Sequence, residues 1–279
     1  MAQLIEDYAL IGDCHTAGLV GRDGSIDWLC FPRFDSPSTF GALLGTKDHG
    51  RWLLAPAGEV LSSARRYEED SFVLVTRWVT ADGEVEVTDF MPHGDRRADV
   101  IRRVTGIRGS VAMMTDLRFR FNYAQALPWV RQSPDEHGYG LVAVAGPDAV
   151  IMRGPELRAS DHSHVAEFTV AAGETVDASM TWYPSHRQPP ARIVVDDCLA
   201  ETIRWWRDWA SHCVASPIYH DEVHRSLLVL RALTHEDTGG IVAAATTSLP
   251  ESFGGNRNWD YRYVWLRDAS LTLNVLLEH

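Results

Sequence analysis

A run of eleven residues near the end of the sequence reads Asn258-Trp259-Asp260-Tyr261-Arg262-Tyr263-Val264-Trp265-Leu266-Arg267-Asp268. Two tryptophans, two tyrosines, two arginines and two aspartates are interleaved in it, directly before an apolar run that predicts a helix. Such a cluster suits a buried polar network, a protein interface or a sugar-binding pocket. Composition, the strand and helix pattern, and the flanking residues narrow this choice.

The composition is that of a folded globular protein without nucleic-acid or membrane partners. The chain has 279 residues, of which 45% are hydrophobic and 23% charged. Its formal net charge is −12, whereas nucleic-acid-binding proteins carry basic faces. No apolar run approaches the ~20 residues of a membrane-spanning helix, and the acidic amino terminus does not resemble a signal peptide. The scattered cysteines, with no Cys-x-x-Cys pair, indicate reduced thiols, so we expect a cytoplasmic location.

Residues 1 to about 190 show short strands separated by turns. The clearest pair is 71–79 and 84–90, which flank the turn Ala81-Asp82-Gly83, and this combination is typical of a β-hairpin. Further strands are predicted at 100–107, 111–121, 140–144, 150–153, 165–170 and 177–183. Because no helical periodicity interrupts them, an antiparallel sandwich is favoured over a parallel sheet.

The segment 28–35 is less regular, since it mixes apolar and charged side chains around Pro32. Two interpretations stay open for it. It is a loop that packs on the sandwich, which is the more common role of such a segment, or a loop that reaches toward a functional site. The sequence of the segment is compatible with both roles.

Helical periodicity begins after the linker-like stretch 187–190. Apolar residues recur at three- and four-residue spacing from 196 to 213, which predicts an amphipathic helix. Ser216-Pro217 then predicts the start of a second helix, with the serine as N-cap and the proline at the first helical position. A last helix is predicted to begin near Trp265 and to continue to the end of the sequence.

Several catalytic and metal-binding motifs are absent or incomplete. The sequence contains no phosphate-binding loop and no Gly-x-Gly-x-x-Gly or Gly-x-Ser-x-Gly motif. His220 and His224 have the spacing of a zinc-binding pair on one helix face. Glu222, however, is one position away from where the zincin motif has its glutamate. We therefore expect the two histidines to lie on a solvated helix face. If both were helical, Asp260 and Asp268 would stand about 12 Å apart, too far for the carboxylate pair of a glycosidase. With Asp260 in a loop, the sequence does not give their separation, and we do not assign the two as acid and base. We therefore predict no metal site and no cofactor.

The cluster 258–268 has the chemistry of a sugar-binding site. Sugars present apolar C–H faces and hydroxyl groups, so their sites need flat aromatic rings together with fixed donors and acceptors. Trp265 supplies a ring, Arg267 a planar fork of donors and Asp268 two acceptor oxygens. The alternative is that Arg267 and Asp268 satisfy each other at a helix start, while the tryptophans pack in the core.

The cluster closely resembles the signature of glycoside hydrolase family 15, the glucoamylase, glucodextranase and trehalase family. The resemblance includes the flanking residues Gly254-Gly255-Asn256-Arg257 and Ala269-Ser270. Other stretches are similar to the same family: Ile11-Gly12-Asp13-Cys14, Asp23-Gly24-Ser25-Ile26-Asp27-Trp28, Phe34-Asp35-Ser36-Pro37-Ser38 and Thr246-Thr247-Ser248-Leu249-Pro250-Glu251. The resemblance implies a β-then-α fold: an amino-terminal antiparallel β-supersandwich, a helical linker and the first helices of an (α/α)6 toroid. We place these parts at residues 1–190, 191–215 and 216–279.

The resemblance also implies an activity, the hydrolysis of α-glucosidic bonds at a non-reducing glucose with inversion of configuration. By the matching positions, Arg267 and Asp268 bind hydroxyl groups of that glucose, while Tyr261 and Trp265 line the same subsite. The implied substrate is an α-glucoside: trehalose, which is preferred, or a malto- or isomalto-oligosaccharide.

The family's two catalytic glutamates lie on later toroid helices, and neither Glu251 nor Glu278 matches their positions. We therefore expect this segment to contain no catalytic residue, and we expect the remainder of the toroid as its structural partner. The alternative is a non-catalytic carbohydrate-binding or regulatory β-sandwich fragment. A longer reading frame that supplies two late glutamates would eliminate this alternative.

Overall fold

The computed structural model describes residues 3–94, 97–214, 216–247 and 256–279, in which a β region is followed by α-helices. The described strands are Ala9–Gly12 (β1), Ala17–Val20 (β2), Ser25–Cys30 (β3), Ser38–Phe40 (β4), Arg51–Pro56 (β5), Val60–Tyr67 (β6), Leu74–Thr80 (β7), Gly83–Phe90 (β8), Ala98–Arg118 (β9), Trp129–Gln132 (β10), Gly140–Ala145 (β11), Asp148–Arg153 (β12), Arg158–Ser160 (β13), Ser163–Ala171 (β14) and Thr175–Pro184 (β15). The described α-helices are Val195–Ala210 (α1), His220–Ala232 (α2) and Leu266–Glu278 (α3). Short 3-10 helices lie at Ile5–Asp7, Ala42–Leu44 and Lys47–His49. The predicted order of an antiparallel β region followed by helices is confirmed.

The strands form two antiparallel sheets that share the long strand β9. The first half of β9 pairs with β8 and β15, and its second half pairs with β5 and β14. The prediction of separate strands at 100–107 and 111–121 was therefore wrong. The break in the sequence pattern around Gly109 is not a turn between two strands. It is the point where one continuous strand passes from the first sheet to the second.

Gly109 makes this passage possible. Its φ is 68°, which side-chain-bearing residues rarely adopt. A Cβ at this position would lie 2.1 Å from the backbone oxygen of Asp82, which belongs to the turn between β7 and β8. Both the backbone conformation and the close approach of the hairpin therefore require glycine.

Replacing Gly109 with alanine should lower the free energy of unfolding by about 3 kcal/mol, because it adds a backbone clash to the cost of the left-handed conformation. Gly173→Ala is the matched control, since Gly173 also has a positive φ (84°) but a Cβ there would have no heavy atom within 4 Å. The control should cost only about 1 kcal/mol. Urea denaturation of the two variants measures both values, and equal losses would contradict the role of Gly109.

The predicted hairpin is confirmed. Strands β7 and β8 pair in antiparallel register around the turn Ala81-Asp82. Alternate residues of β8 are buried, as a strand with one face on a core requires, and Val85 and Val87 are fully covered. The two sheets share a buried cluster, because Ile26 of the second sheet packs with residues of β12 and β15 in the first.

A buried ion pair also links the sheets. Arg102 on β9 is fully buried and donates hydrogen bonds to both carboxylate oxygens of Asp89, at 2.7 and 3.2 Å. It also donates to the backbone oxygens of Trp52, on β5 of the other sheet, and of Gly24, in the turn before β3, both at 2.7 Å. Burial of this charge is tolerated because the guanidinium has both a carboxylate and carbonyl partners.

Helices α1 and α2 pack on the β region. Trp206 of α1 is fully buried, and its ring centroid lies 4.9 Å from that of Phe72. The helix predicted at 196–213 is thus confirmed, with its ends at Val195 and Ala210. No helix in the described ranges has both the length and the apolar character needed to cross a membrane.

The predicted start of α2 was wrong. The helix begins at His220, and the residue before it, Tyr219, has a φ of 54° and gives no side-chain cap. The hydroxyl of Ser216 donates instead to the backbone oxygen of Ile218, at 2.7 Å. The serine therefore stabilises the turn before the helix and does not cap the helix itself. The start predicted for the last helix is confirmed, since α3 begins at Leu266.

Candidate functional site

The segment 258–268 runs in irregular conformation up to the first turn of α3. The backbone N–H of Ala244 donates to the oxygen of Tyr261 at 2.9 Å. The indole Nε1 of Trp28, on β3, donates in turn to the backbone oxygen of Ala245 at 2.9 Å. The β region thus positions the segment around Ala244, and that segment positions the aromatic cluster.

The four side chains predicted to bind substrate lie together. The ring centroids of Tyr261 and Trp265 are 5.4 Å apart at an interplanar angle of 32°. The guanidinium carbon of Arg267 lies 5.9 Å from the centroid of Trp265, and Arg267 Nη2 donates to Asp268 Oδ2 at 2.8 Å. These contacts connect Tyr261, Trp265, Arg267 and Asp268 in one row of side chains, which runs from the two aromatic rings to the ion pair.

The ion pair in this row is open to solvent. The side chain of Arg267 is 67% exposed and that of Asp268 is 31% exposed, while both aromatic residues are half-buried. An exposed pair of this kind contributes little to stability, about 0–1 kcal/mol. The sequence left open whether the pair only satisfies itself at the helix start. The structure shows the mutual contact, and its exposure leaves polar atoms accessible to a ligand.

Asp268 lies in the first turn of α3, where Trp265 is the N-cap residue. The amino-terminal end of a helix carries partial positive charge and stabilises a carboxylate. A carboxylate at this position accepts hydrogen bonds and does not donate them.

Arg262 is the main anchor of the segment, and sequence reasoning did not assign it a role. Its side chain is 4% exposed, and it makes a bidentate pair with Asp260, with Nε–Oδ1 at 3.0 Å and Nη2–Oδ2 at 2.7 Å. Its Nη1 donates to the backbone oxygens of Phe34 and Ser36, at 3.1 and 2.6 Å. The guanidinium is thus directed at the β region and at the adjacent aspartate.

These contacts settle the position of the segment 28–35. Residues up to Cys30 belong to β3, all six residues of which are buried, so the prediction of a loop was wrong for that part. The residues after Cys30 form a loop whose carbonyl groups bind Arg262. This part packs on the sandwich, as the first interpretation expected, since Phe31 and Phe34 are each 2% exposed. It also contacts the segment of the candidate site, and the second interpretation, a role in a functional site, stays a prediction.

Electrostatics keep the Asp260–Arg262 pair ionised. Burial disfavours the charge on Arg262, but the hydrogen bond to Asp260 raises the pKa of the guanidinium above its ordinary value. Burial likewise acts against the charge on Asp260, yet hydrogen bonds from Arg262 lower the pKa of this carboxyl below its ordinary value. Asp260 is therefore engaged in a structural ion pair. It precedes α3, so the helical spacing to Asp268 does not apply to it.

Two cavities lie outside the row of four residues. One of about 100 Å³ adjoins Arg262 and is also lined by Asp35, His235 and Tyr263. Another of about 470 Å³ is in the β region, beside Phe119. Neither lining includes a residue of the row.

The histidine pair at 220 and 224 and the stretch around Glu251 were also singled out in the sequence. His224 Nε2 lies 2.8 Å from Asp70 Oδ1, and its ring stacks with that of His220 at 6.0 Å, so the zinc-like pair is a surface cluster in contact with the β region. Residues 248–255, which include Glu251 and part of the family signature, lie outside the described residues.

Residues 1–179 match the family described as "Trehalase-like, N-terminal", and residues 217–279 match "Glycosyl hydrolases family 15". The trehalase of Mycobacterium tuberculosis is 33% identical over 299 residues, which cover 96% of this chain and 43% of the relative. The trehalase of Thermoplasma acidophilum is 33% identical over 270 residues, covering 92% of this chain and 45% of the relative. The chain thus spans less than half the length of these relatives.

The fold has a counterpart among solved structures. A bacterial glucoamylase in complex with acarbose superposes with a TM-score of 0.64 at 9% sequence identity. The superposition covers 96% of this chain and 46% of that chain. At this level of identity the likeness concerns the fold alone.

Proposed function

The chain belongs to the trehalase-like and family 15 glycosyl hydrolases, and we propose that it is the amino-terminal part of an enzyme that hydrolyses α-glucosidic bonds at a non-reducing glucose, with inversion of configuration. The observation that carries the proposal is the row formed by Tyr261, Trp265, Arg267 and Asp268, which lies within the residues that match family 15. Trehalose is the preferred substrate, because the sequence relatives described above are trehalases. Malto- and isomalto-oligosaccharides are the alternatives.

The chemistry of the row suits one glucose unit. The rings of Tyr261 and Trp265 offer apolar surfaces to the C–H faces of a sugar. Arg267 donates to hydroxyl oxygens and Asp268 accepts from hydroxyl groups, so the two can grip neighbouring hydroxyls from a single helix turn. In this proposal the four residues bind the substrate, and none of them is a general acid or base.

The proposed architecture assigns residues 1–190 to a β-supersandwich, 191–215 to a linker helix and 216–279 to the start of an (α/α)6 toroid. Helix α3 presents large apolar side chains to solvent: Leu266 is 87%, Leu271 63% and Leu277 84% exposed. An apolar helix surface of this kind is normally covered by other helices. We propose that further toroid helices, which also carry the two catalytic glutamates, cover it in the whole enzyme.

The described chain has free thiols at all four cysteines. Free thiols persist in a reducing compartment, so the proposed enzyme is placed in the cytoplasm. Its only proposed ligand at the sugar site is the α-glucoside, with no cofactor.

A hydrolysis assay tests this proposal. Residues 1–279 alone should release no glucose from trehalose, maltose or isomaltose, because hydrolysis with inversion needs a pair of carboxyl groups that the proposal places elsewhere. A longer chain that contains two late glutamates should hydrolyse at least one of these sugars, trehalose first. A coupled glucose assay measures both proteins.

The two chains test different parts of the proposal. Turnover by residues 1–279 would contradict the placement of both catalytic carboxyl groups outside this segment. A folded longer chain that binds these sugars without cleaving them would instead favour the alternative function, a non-catalytic carbohydrate-binding or regulatory protein.

A further inference from the structure

Three potential metal ligands meet where the β region contacts the helices. Cys14 lies in the turn between β1 and β2, His93 follows β8, and Glu236 follows α2. Their ligand atoms, a sulfur, an imidazole nitrogen and a carboxylate oxygen, all lie within 4.8 Å of one another. The three residues are far apart in the sequence, so only the folded chain brings them together.

The environment of the cluster is suited to hold an ion. Cys14 is fully buried and the side chain of His93 is only 7% exposed, whereas that of Glu236 is 39% exposed. The backbone N–H of Glu236 donates to the oxygen of Cys14 at 2.9 Å, which ties two of the ligands together. The cluster is therefore enclosed on the protein side and open toward solvent at the carboxylate, where an ion can enter.

His93 provides an independent indication of a ligand. Its Nε2 is buried and has no hydrogen-bond partner among the described residues. The nearest acceptor, Glu236 Oε2, is 3.8 Å away, beyond hydrogen-bonding distance. A buried imidazole nitrogen without a partner is costly and uncommon in native proteins. The ring is held by stacking on Trp205, with centroids 3.4 Å apart, so Nε2 has a fixed direction.

We propose that Cys14, His93 and Glu236 bind a zinc ion, or a similar transition-metal ion, that joins the β region to the end of α2. Thiolate, imidazole and carboxylate are the ligand types that zinc takes in proteins, and solvent fills the fourth position of its tetrahedron. The prediction of a chain without a metal site considered only ligands close together in the sequence, whereas these three come from distant segments.

The imidazole can take part as a ligand through its free nitrogen. An unprotonated Nε2 of His93 offers a lone pair, and this is the atom that has no hydrogen-bond partner among the described residues.

The neighbouring arginine does not prevent this coordination. Arg231 is ion-paired with Glu236, and its backbone oxygen accepts a weak hydrogen bond from the Cys14 thiol at 3.6 Å. Binding of the ion releases the thiol proton to solvent and draws the carboxylate toward the metal. Arg231 keeps a hydrogen bond to the backbone oxygen of Thr234 at 3.1 Å and its position over the ring of Trp205, so its charge stays partnered.

Cobalt substitution tests the site. After treatment with a chelator, the chain should bind a single Co²⁺ with a thiolate-to-cobalt charge-transfer band in the near ultraviolet, and Zn²⁺ should abolish the band by displacing Co²⁺. Cys14→Ser should eliminate the band. Cys213→Ser, which changes a half-buried cysteine elsewhere, should retain it. A wild-type chain without the band, or a Cys14→Ser variant that keeps it, would overturn the proposal.

A second variant guards against misfolding, since Cys14 lies in a buried apolar cluster. Glu236 is half-exposed, so Glu236→Gln should preserve the far-ultraviolet circular dichroism while weakening Zn²⁺ binding at least about tenfold in competition with a colorimetric chelator. His220→Gln, which alters the surface histidine pair, should leave the affinity unchanged. Equal Zn²⁺ affinity of the wild type and Glu236→Gln would contradict the proposed ligand set.

Discussion

Replacement of Arg262 with alanine is expected to lower the free energy of unfolding by about 2–3 kcal/mol, because the buried guanidinium has several polar partners while Asp260 is 33% exposed and regains water. The substitution leaves the carboxylate of Asp260 without its bidentate partner. It also leaves the backbone oxygens of Phe34 and Ser36 without the donor that now binds them. The segment that carries the row of four residues loses its main attachment to the β region.

Chemical denaturation of the chain measures this loss, and Arg267→Ala is the matched control. Both arginines pair with an aspartate in the same segment, but the Arg267 side chain is 67% exposed, so its removal should cost less than about 1 kcal/mol. Arg262→Lys should fall in between, because a lysine keeps the charge but cannot form the planar two-point contact. Similar losses for Arg262→Ala and Arg267→Ala would show that Arg262 does not anchor the segment.

In the longer enzyme, Asp268→Ala is expected to reduce kcat/KM by about 10²–10⁴-fold. Two hydrogen bonds from glucose hydroxyls to a carboxylate are worth about 1.5–3 kcal/mol each, and both are lost in the transition state. Stability should change little, since the Arg267–Asp268 pair is exposed. Steady-state kinetics with trehalose, together with the melting temperature, separate the two effects.

Asp221→Ala provides the matched control for this prediction. Asp221 also lies in the first turn of a helix, α2, so its removal reproduces the helix-terminal effect without touching the proposed subsite. Its kcat/KM should stay at the wild-type value. Kinetics of Asp268→Ala that match those of Asp221→Ala would rule out a substrate-binding role for Asp268.

Local signals made parts of the fold predictable. The hairpin of β7 and β8 follows from an aspartate-glycine turn between alternating strands, and α1 follows from its amphipathic spacing. The start of α2 was mistaken because Ser216-Pro217 matches the local pattern of a helix start, yet the helix forms later. The single strand β9 was also missed, because its two halves are defined by different partner strands.

Part of the candidate site could likewise be predicted from the sequence, and part of it could not. Residue chemistry and family resemblance identified Tyr261, Trp265, Arg267 and Asp268, and the structure places them side by side, although their binding role stays a prediction. The role of Arg262 could not be predicted in this way, because its backbone partners in the loop after β3 lie at sequence separations of 228 and 226. Only the acid two positions before it offered a local signal.

The attachment of Arg262 has a consequence for how this protein can vary. Phe34 and Ser36 hold the guanidinium through main-chain oxygens, which every amino acid possesses. Another residue at position 36 still offers a backbone oxygen to the guanidinium, so the attachment can survive a substitution there. A substitution at position 262 removes the guanidinium itself. We therefore expect substitutions at position 36 to disturb the attachment less than substitutions at position 262.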